Sequence, residues 1–466
     1  MNSRAKYLLK NTGIFAIGAL GTRVISFFLV PFYTYILSTE EYGTVDLIFT
    51  LCTLVVPVIT FNIGEAVMRY GLDEGADYRK ISGIIFGTTV FSCLAAALVL
   101  VACGMNPVTS PYSVNIYLLV VSQGFYTNYT CYLRGTERLT GYTLCNFVNV
   151  CLIAVLNILF LKYLNLKIDG YLLAYTLAYF AAGGMAFVMG RQPSLFFHYK
   201  FDKALFKEMA AFSLLVIPNS MMWWVITSSD RLMVAGMKGL ADNGILAVAY
   251  KIPSLLSVLS TVLMQAWKYS AIKEEKSEDI EAYSNQVLKE MISIMVLISG
   301  TILLVIKPAA GILFEESYFE SWRASSFLII GFVFMSVSTF AGTMYYVKKD
   351  MVGNLRSALI GALVNLILNL FLIHTLGAVG AAIASCCSYM VILLYRVRDT
   401  EKYLKLDLKR PCYGIFLFLL LGEILGLYLG SVAGCCILAA AYLGIVVMNL
   451  KSIRGYIIKA KNILKG

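Results

Sequence analysis

Long apolar stretches separated by short polar breaks run through most of the chain. From Asn11 to Asn449 we count about fourteen stretches of membrane-spanning length, since a helix needs roughly 20 apolar residues to cross a bilayer. The predicted spans cover residues 11–36, 44–68, 82–104, 112–133, 140–161, 170–190, 209–236, 244–267, 286–306, 324–346, 355–374, 377–395, 411–430 and 433–450. The pattern predicts an all-α polytopic membrane protein.

The basic residues fall almost entirely on alternate sides of these spans. With a cytoplasmic N-terminus, 29 of the 38 Lys and Arg residues lie in inner segments, five lie in outer loops and four lie inside spans. Cytoplasmic loops of membrane proteins carry an excess of Lys and Arg. The asymmetry therefore predicts that both termini are cytoplasmic.

Composition agrees with a membrane protein and excludes several other classes. The chain is 59% hydrophobic and only 14% charged, with a mean hydropathy of +0.77. Most of its net charge of +11 is the inner excess that orients the spans, so we expect no nucleic-acid partner. There is no GxxxxGK[ST] motif, and the eleven cysteines and two histidines lack the spacing of metal ligands, so neither a cofactor nor a metal is predicted.

The chain also repeats itself coarsely. The fifth and sixth spans share a frame of Asn, apolar run, loop and Gly-x-x-x-Ala with the eleventh and twelfth, and Glu41-Tyr42-Gly43 corresponds to Asp242-Asn243-Gly244. Two six-helix halves are implied, related by an axis along the membrane normal. The predicted divisions are an N-terminal half (1–205), a C-terminal half (206–400), two added transmembrane helices (401–450) and a basic amphipathic cytoplasmic tail (451–466). The tail is expected to bind anionic phospholipids.

Four local motifs are distinctive: Asn11-Thr12-Gly13, the run Pro31 to Gly43, Ala249 to Pro253, and the turn from Gly377 to Ala384. Together they resemble the polysaccharide-exporter flippases, the Wzx-like O-antigen and capsule family of the multidrug/oligosaccharidyl-lipid/polysaccharide (MOP) superfamily. The resemblance implies a transporter rather than an enzyme, in the bacterial inner membrane. It would move a polyprenyl-diphosphate-linked oligosaccharide from the inner to the outer leaflet by alternating access, and a polysaccharide polymerase is a candidate partner.

Arg23 is the first candidate for substrate binding. It lies ten residues beyond Gly13, about 15 Å along a helix and near the bilayer midplane. A charge at that depth is costly and usually faces a wet cavity. Its planar guanidinium suits a diphosphate, whereas the structural alternative is an ion pair with Asp46 or Glu65.

Two further cations lie inside the seventh and eighth spans. Lys251 precedes Pro253, whose missing N–H donor is expected to loosen the helix locally. Arg231 follows Asp230, and for this residue a structural pair or a snorkelling side chain is as plausible as a ligand. Lys251 and Arg231 are therefore the other predicted substrate-binding residues.

Four of the carboxylates inside predicted spans are ion or structural candidates: Asp46, Glu65, Asp230 and Glu423. Glu423 is alone in the added thirteenth span, where desolvation would keep it neutral or a neighbouring helix would bond it. Asn365 and Asn369, four residues apart on the eleventh span, are expected to make interhelical hydrogen bonds.

Prolines interrupt the four spans that would line the cleft between the halves. Kinks there suit a rocking bundle, although neighbouring helices also tolerate ordinary membrane-helix prolines. The hinge candidates are Pro31, Pro57, Pro218 and Pro253.

Two rival functions fit the residues less well. A multidrug or cation antiporter of the same superfamily should carry cavity carboxylates rather than Arg and Lys, and twelve spans would suffice for it. A membrane glycan polymerase normally needs a large outer loop with catalytic groups, and the outer loops here contain no His.

Overall fold

The structure is a computed structural model, and every regular element in its described part is helical. It describes residues 21–22, 24–73, 75–195, 198–273, 277–348, 350–408 and 411–465; for residues 453–465 it describes the backbone alone. The fold class predicted from the sequence is confirmed.

The chain forms two compact units, Met1–Trp224 and Val225–Gly466. Their boundary falls within one long helix, α9 (Lys203–Lys238). The residue limits predicted from the repeat, at 205 and 400, are not tested by this division and stay a prediction.

The N-terminal unit contains the first helices of the described chain. These are α1 (Val24–Ile36), α2 (Thr39–Ile59), α3 (Ile63–Gly71), α4 (Tyr78–Met105), α5 (Ser113–Gly135), α6 (Leu139–Asn157), α7 (Lys167–Met189), the one-turn α8 (Gln192–Leu195) and the start of α9. A π-helical segment, Ile158–Tyr163, continues α6. The apolar core of this unit is built around Ile63, Val67, Ile84, Leu133 and Met209.

The C-terminal unit continues from the second part of α9. Its helices are α10 (Leu240–Ala249), α11 (Lys251–Lys273), α12 (Ile280–Leu313), α13 (Ser321–Val347), α14 (Met351–Leu376), α15 (Ala378–Thr400), α16 (Pro411–Leu429) and α17 (Val432–Lys465). One core cluster joins α9, α10, α13, α14 and α15 through Val234, Leu246, Leu328, Ile373 and Ala381.

Ten helices of the described part are long and apolar enough to cross a membrane, or eleven if α10 and α11 form one bent span. Each predicted span coincides with a helix, a helix pair or a described part of one, while the count of fourteen stays a prediction. Two spans predicted as continuous are broken. The range 44–68 contains most of α2, the break that follows it and most of α3. The range 244–267 contains the break between α10 and α11.

The entry into α2 is set by a capping box. Ser38 Oγ accepts a hydrogen bond from the Glu41 backbone N–H at 3.2 Å, and Glu41 accepts one from the Ser38 N–H at 3.0 Å. These reciprocal bonds satisfy donors that a helix start leaves open. Lys167 Nζ lies 2.7 Å from Glu41 Oε1 and ties this corner to α7.

The break after α2 has a local cause. Pro57 lies in the last turn of α2, and its carbonyl accepts a 2.7 Å hydrogen bond from the Asn62 N–H. Asn62 adopts a left-handed conformation with φ of 47°, which asparagine tolerates better than most residues. This hydrogen bond, from the N–H of residue i+5 to the carbonyl of residue i, caps the end of α2, and α3 starts one residue later.

The added helices α16 and α17 pack against each other and both contact α12. Backbone helix continues through α17 to Lys465. The predicted tail from residue 451 therefore extends the last span without an intervening loop.

Candidate functional site

The break between α10 and α11 is the most distinctive backbone feature of the C-terminal unit. The two helices meet at Tyr250 and bend by 40°. Pro253, in the first turn of α11, has no N–H with which to reach the Ala249 carbonyl. Ser325 of α13 offers a replacement donor, since its hydroxyl lies 2.8 Å from the Ala249 carbonyl and 2.9 Å from the Ser321 carbonyl of its own helix. The break is thus built into the packing of α13.

Tyr250 connects this break to a buried carboxylate on α9. Its hydroxyl donates a short hydrogen bond to Asp230 Oδ2, and Asp230 is fully buried. The Arg231 guanidinium lies over the Tyr250 ring, 5.2 Å from its centroid. Arg231 and Asp230, which the sequence placed side by side, are thus held around one aromatic ring.

A chain of polar side chains continues from Tyr250 across α14 and α15. Ser385 Oγ lies 3.4 Å from the Tyr250 hydroxyl and accepts from Asn365 Nδ2 at 3.3 Å. Asn369 Nδ2 donates to Asn365 Oδ1 at 3.0 Å. Ser229 Oγ also lies 3.4 Å from Asn365 Oδ1. We call the set the buried polar network: Ser229, Asp230, Tyr250, Asn365, Asn369 and Ser385.

The network is buried, so its polar groups must hydrogen-bond to one another rather than to water. All six side chains are at most 8% exposed, and an unsatisfied polar group in a low-dielectric interior costs about 1–3 kcal/mol. The expected interhelical hydrogen bond of Asn365 is present; Asn369 bonds its neighbour on the same helix. The donor set of one carboxylate and several neutral oxygens suits hard cations. No group of three or more His, Cys, Asp or Glu residues that could hold a metal ion is found among the described residues.

The structure describes two of the three predicted substrate cations. Lys251 is the first residue of α11 and is half-buried, directly after Tyr250. Arg231 belongs to the Tyr250 cluster. Arg23, with its proposed alternative pairing, lies outside the described residues.

The remaining predicted candidates lie on separate elements. Asp46 is half-buried in α2. Glu65 lies in the first turn of α3, beyond the break, where a carboxylate suits the positive end of the helix. Of the hinge candidates, Pro253 adjoins the 40° bend and Pro57 precedes the α2 break, whereas Pro31 and Pro218 lie inside α1 and α9.

Glu423 lies in a niche between α16, α12 and α17. It is fully buried, and neither carboxylate oxygen has a hydrogen-bond partner among the described residues. Gly300 adjoins the niche, and an ideal Cβ there would lie 3.0 Å from Ile445 Cδ1 and 3.1 Å from Glu423 Oε1. Ionising an isolated buried carboxylate is very costly, so the neutral acid is the form that suits this niche.

Arg396 is a buried charge that the sequence analysis missed. It was counted with the inner segment after the twelfth span, yet it is only 3% exposed. Its Nε donates to Ser357 Oγ at 2.9 Å and its Nη2 to Asn354 Oδ1 at 2.9 Å, both on α14. Its Nη1 reaches the Ser338 carbonyl of α13 at 3.2 Å. The pairs Asn354/Ser357 and Ser338/Gly342, at helical spacings, were the available sequence signal.

A family model described as polysaccharide biosynthesis protein matches residues 8–269 of the chain. A protein of the Lsg locus of Haemophilus influenzae is 20% identical over 276 residues, which are 58% of this chain and 68% of that protein.

Two solved structures share the fold. The inward closed conformation of the lipid II flippase MurJ superposes with a TM-score of 0.65 at 15% identity, covering 94% of this chain and 99% of that one. An inward-facing multidrug resistance MATE family transporter of the MOP superfamily gives a TM-score of 0.62 at 13% identity, covering 81% and 96%. At such low identity these likenesses establish the transporter fold alone.

Proposed function

This chain belongs to the polysaccharide biosynthesis protein family, and on that premise we propose that it is a flippase for a polyprenyl-diphosphate-linked oligosaccharide. The substrate would pass from the inner to the outer leaflet of a bacterial inner membrane. The family match carries the proposal. It covers the N-terminal unit and continues through α10 into α11, the region that contains all three predicted substrate cations.

The chemistry of the break supports an anionic substrate. Lys251 is the first residue of α11, directly after the helix break at which the Ser325 hydroxyl of α13 hydrogen-bonds the Ala249 carbonyl. A lysine ammonium or an arginine fork at such a position can bind a diphosphate through charge-assisted hydrogen bonds. We propose Lys251 and Arg23 as diphosphate ligands. Arg231 is the weaker candidate, because its guanidinium already packs on Tyr250.

The orientation of the chain in the membrane can be proposed from the charge asymmetry. With 29 of 38 basic residues on one side, we propose that both termini are cytoplasmic. A labelling map should find cysteines placed at Arg138, Lys203 and Lys402 inside and those at Asp242 and Ser317 outside. Labelling of Lys203 and Ser317 from the same side would overturn this orientation.

The direct test is flipping in vesicles. The purified protein would be reconstituted with a fluorescent polyprenyl diphosphate carrying a short oligosaccharide, and membrane-impermeant dithionite would quench the probe in the outer leaflet. A flippase makes nearly all of the probe accessible, whereas empty vesicles protect the inner half. Fluorescent phosphatidylcholine, which lacks a diphosphate, should stay protected.

Substitution of Lys251 ties the activity to the proposed ligand. Loss of a charge-assisted hydrogen bond costs about 1.5–3 kcal/mol, so Lys251→Ala should slow flipping at least about tenfold, while Lys251→Arg should retain part of it. Lys289→Ala removes an exposed cation of α12 in the same unit and should have little effect. Ethidium efflux without lipid flipping would instead favour a cation antiporter.

A further inference from the structure

A groove on the surface of the C-terminal unit lies where α14 and α15 pack side by side. Its volume is about 540 Å³. It is lined by Ile360 of α14 and by Val391, Leu394, Tyr395, Arg398 and Asp399 of α15. None of these residues belongs to the buried polar network or to the predicted substrate ligands.

The groove changes from apolar to charged along its length. Val391 and Leu394 precede Arg398 on α15, so the apolar part extends about 10 Å before the guanidinium, at 1.5 Å per residue. Leu394 is 53% exposed. Half-buried Tyr395 lies between the two parts, the position that amphipathic aromatic rings favour at a membrane interface. This order matches an acyl chain that continues into a polar headgroup.

The charged end of the groove is cationic. Arg398 is exposed, and no carboxylate within the described ranges lies at ion-pair distance from it. Asp399 is the acidic lining residue, but its carboxylate accepts from the Tyr345 hydroxyl at 2.7 Å and from Lys402 Nζ at 3.3 Å. Its charge is thus balanced by its own neighbours.

A second arginine adds to this charge from α14. Arg356 lies four residues before Ile360, hence one turn further toward the charged end on the same helix face. It is exposed, and in the described part of the chain it has no ion-pair partner. Arg356 does not line the groove itself, but helix geometry places it and Arg398 toward the same end of the α14–α15 pair.

We propose that this groove binds an anionic phospholipid. The phosphate lies against Arg398 and Arg356, and one acyl chain lies along Ile360, Val391 and Leu394. Arginine is suited to the phosphate because its planar fork donates two parallel hydrogen bonds. No residue that lines the groove is a proposed substrate ligand, and the site does not depend on the transported substrate.

The test is lipid retention by the purified full-length protein in native mass spectrometry. Phosphatidylglycerol and phosphatidylcholine would be titrated separately into the detergent-solubilised protein. Each basic residue near an anionic headgroup strengthens binding about fivefold. Arg398→Gln and Arg356→Gln should therefore each weaken phosphatidylglycerol retention about fivefold and leave phosphatidylcholine unchanged. Lys289→Gln, an exposed cation of α12 away from the groove lining, is the charge-matched control.

A second pair of variants tests the apolar part without changing charge. Leu394→Trp fills the groove and should lower retention of phosphatidylglycerol, whereas Leu425→Trp, at an equally exposed leucine of α16, should not. Equal retention by Arg398→Gln, Lys289→Gln and the parent protein would overturn the proposal. The proposal would also be overturned if the variants retained phosphatidylglycerol normally and lost only the binding of a polyprenyl diphosphate probe. Flipping activity plays no part in this readout, so the site stands or falls separately from the proposed function.

Discussion

The Arg396 guanidinium packs directly against Gly342, at a position where the Cβ of any other residue would collide with it. An ideal Cβ on Gly342 of α13 would lie 2.6 Å from Arg396 Nη1 of α15. The guanidinium passes over this glycine to reach α14, where Asn354 and Ser357 accept its hydrogen bonds. Arg396 thereby joins three helices through neutral oxygens.

Gly342→Ala should destabilise the protein by about 1–3 kcal/mol, because the added methyl group overpacks a rigid, hydrogen-bonded guanidinium. The measurement is the apparent melting temperature in detergent. Gly236→Ala is the matched control, since its Cβ would meet no atom within 4 Å and alanine favours a helix by about 0.5–1 kcal/mol. Equal melting temperatures for the two variants would contradict the packing argument.

Arg396 also marks the limit of what hydropathy can predict. A basic residue just after an apolar span has the same local sequence whether it snorkels to water or turns inward, so the pattern predicted the helix of α15 but not the burial of Arg396. The helix break shows the same limit. Pro253 revealed that a donor was missing, but the replacement, Ser325, comes from a distant helix and follows only from tertiary packing. Arg23 lies outside the described residues, so its role stays a prediction.

Ser325→Ala should leave the Ala249 carbonyl at the helix break without its donor and destabilise the protein by about 1–3 kcal/mol. Ser326 offers a neighbouring control, because it is equally buried but its hydroxyl bonds only the Trp322 carbonyl of its own helix. Ser326→Ala should cost clearly less in the same melting experiment.

Pro253→Ala tests whether the break serves transport. The new N–H can donate to the Ala249 carbonyl, so the double variant Ser325→Ala/Pro253→Ala should recover stability lost in Ser325→Ala alone. If the break is a hinge, Pro253→Ala should also slow flipping while it raises the melting temperature. Unchanged flipping in a stabilised Pro253→Ala protein would remove Pro253 from the hinge candidates.

Tyr250→Phe should be more costly than an ordinary loss of a hydroxyl. It removes a donor from the fully buried Asp230 carboxylate, and such a loss costs about 1–3 kcal/mol or more. Tyr389→Phe is the control, at a buried tyrosine of α15 whose hydroxyl makes no hydrogen bond to a carboxylate among the described residues. In a double-mutant cycle, Asp230→Asn should reduce the cost of Tyr250→Phe; strictly additive costs would show that the two side chains are not coupled.

Asp350 should make stability depend on pH at the start of α14. The Gly353 backbone N–H, with Tyr403 and Lys402, holds the pKa of this carboxyl below its ordinary value. A lowered folded pKa means that the stabilisation is present above the unfolded pKa and is lost as pH falls through the folded pKa. Asp350→Asn should therefore lower the melting temperature at pH 7, and the difference from the parent should shrink in acid.

Asp279 provides the control for this pH dependence. It occupies the N-cap of α12 but makes no side-chain capping bond. Asp279→Asn should change the melting temperature little at either pH. A pH-independent effect of Asp350→Asn would mean that the carboxylate charge does not contribute.

The energy source can be predicted from the charge of the proposed substrate. The sequence contains no nucleotide-binding motif, and for the proposed flippase we expect turnover to use an ion gradient, the membrane potential or removal of the product. A diphosphate with two negative charges moving outward across an inside-negative membrane gains roughly 2.3 kcal/mol per charge at 100 mV. Collapsing the potential should therefore slow flipping more than collapsing the pH gradient, provided that no cation travels along. The measurement is dithionite-detected flipping in vesicles with the two gradients clamped separately.

Proton coupling would give the opposite pattern and has named carriers. Glu65 and Glu423 are intramembrane candidates from the sequence, and Glu423 is fully buried beside Gly300. Flipping that follows the pH gradient at zero potential, and disappears in Glu65→Gln or Glu423→Gln, would identify a proton antiporter. Glu281→Gln, at an exposed carboxylate in the first turn of α12, should leave flipping unchanged in either case. Because Gln keeps the size of Glu and cannot release a proton, full activity of both Glu65→Gln and Glu423→Gln under a clamped potential would exclude these two residues as the proton carrier.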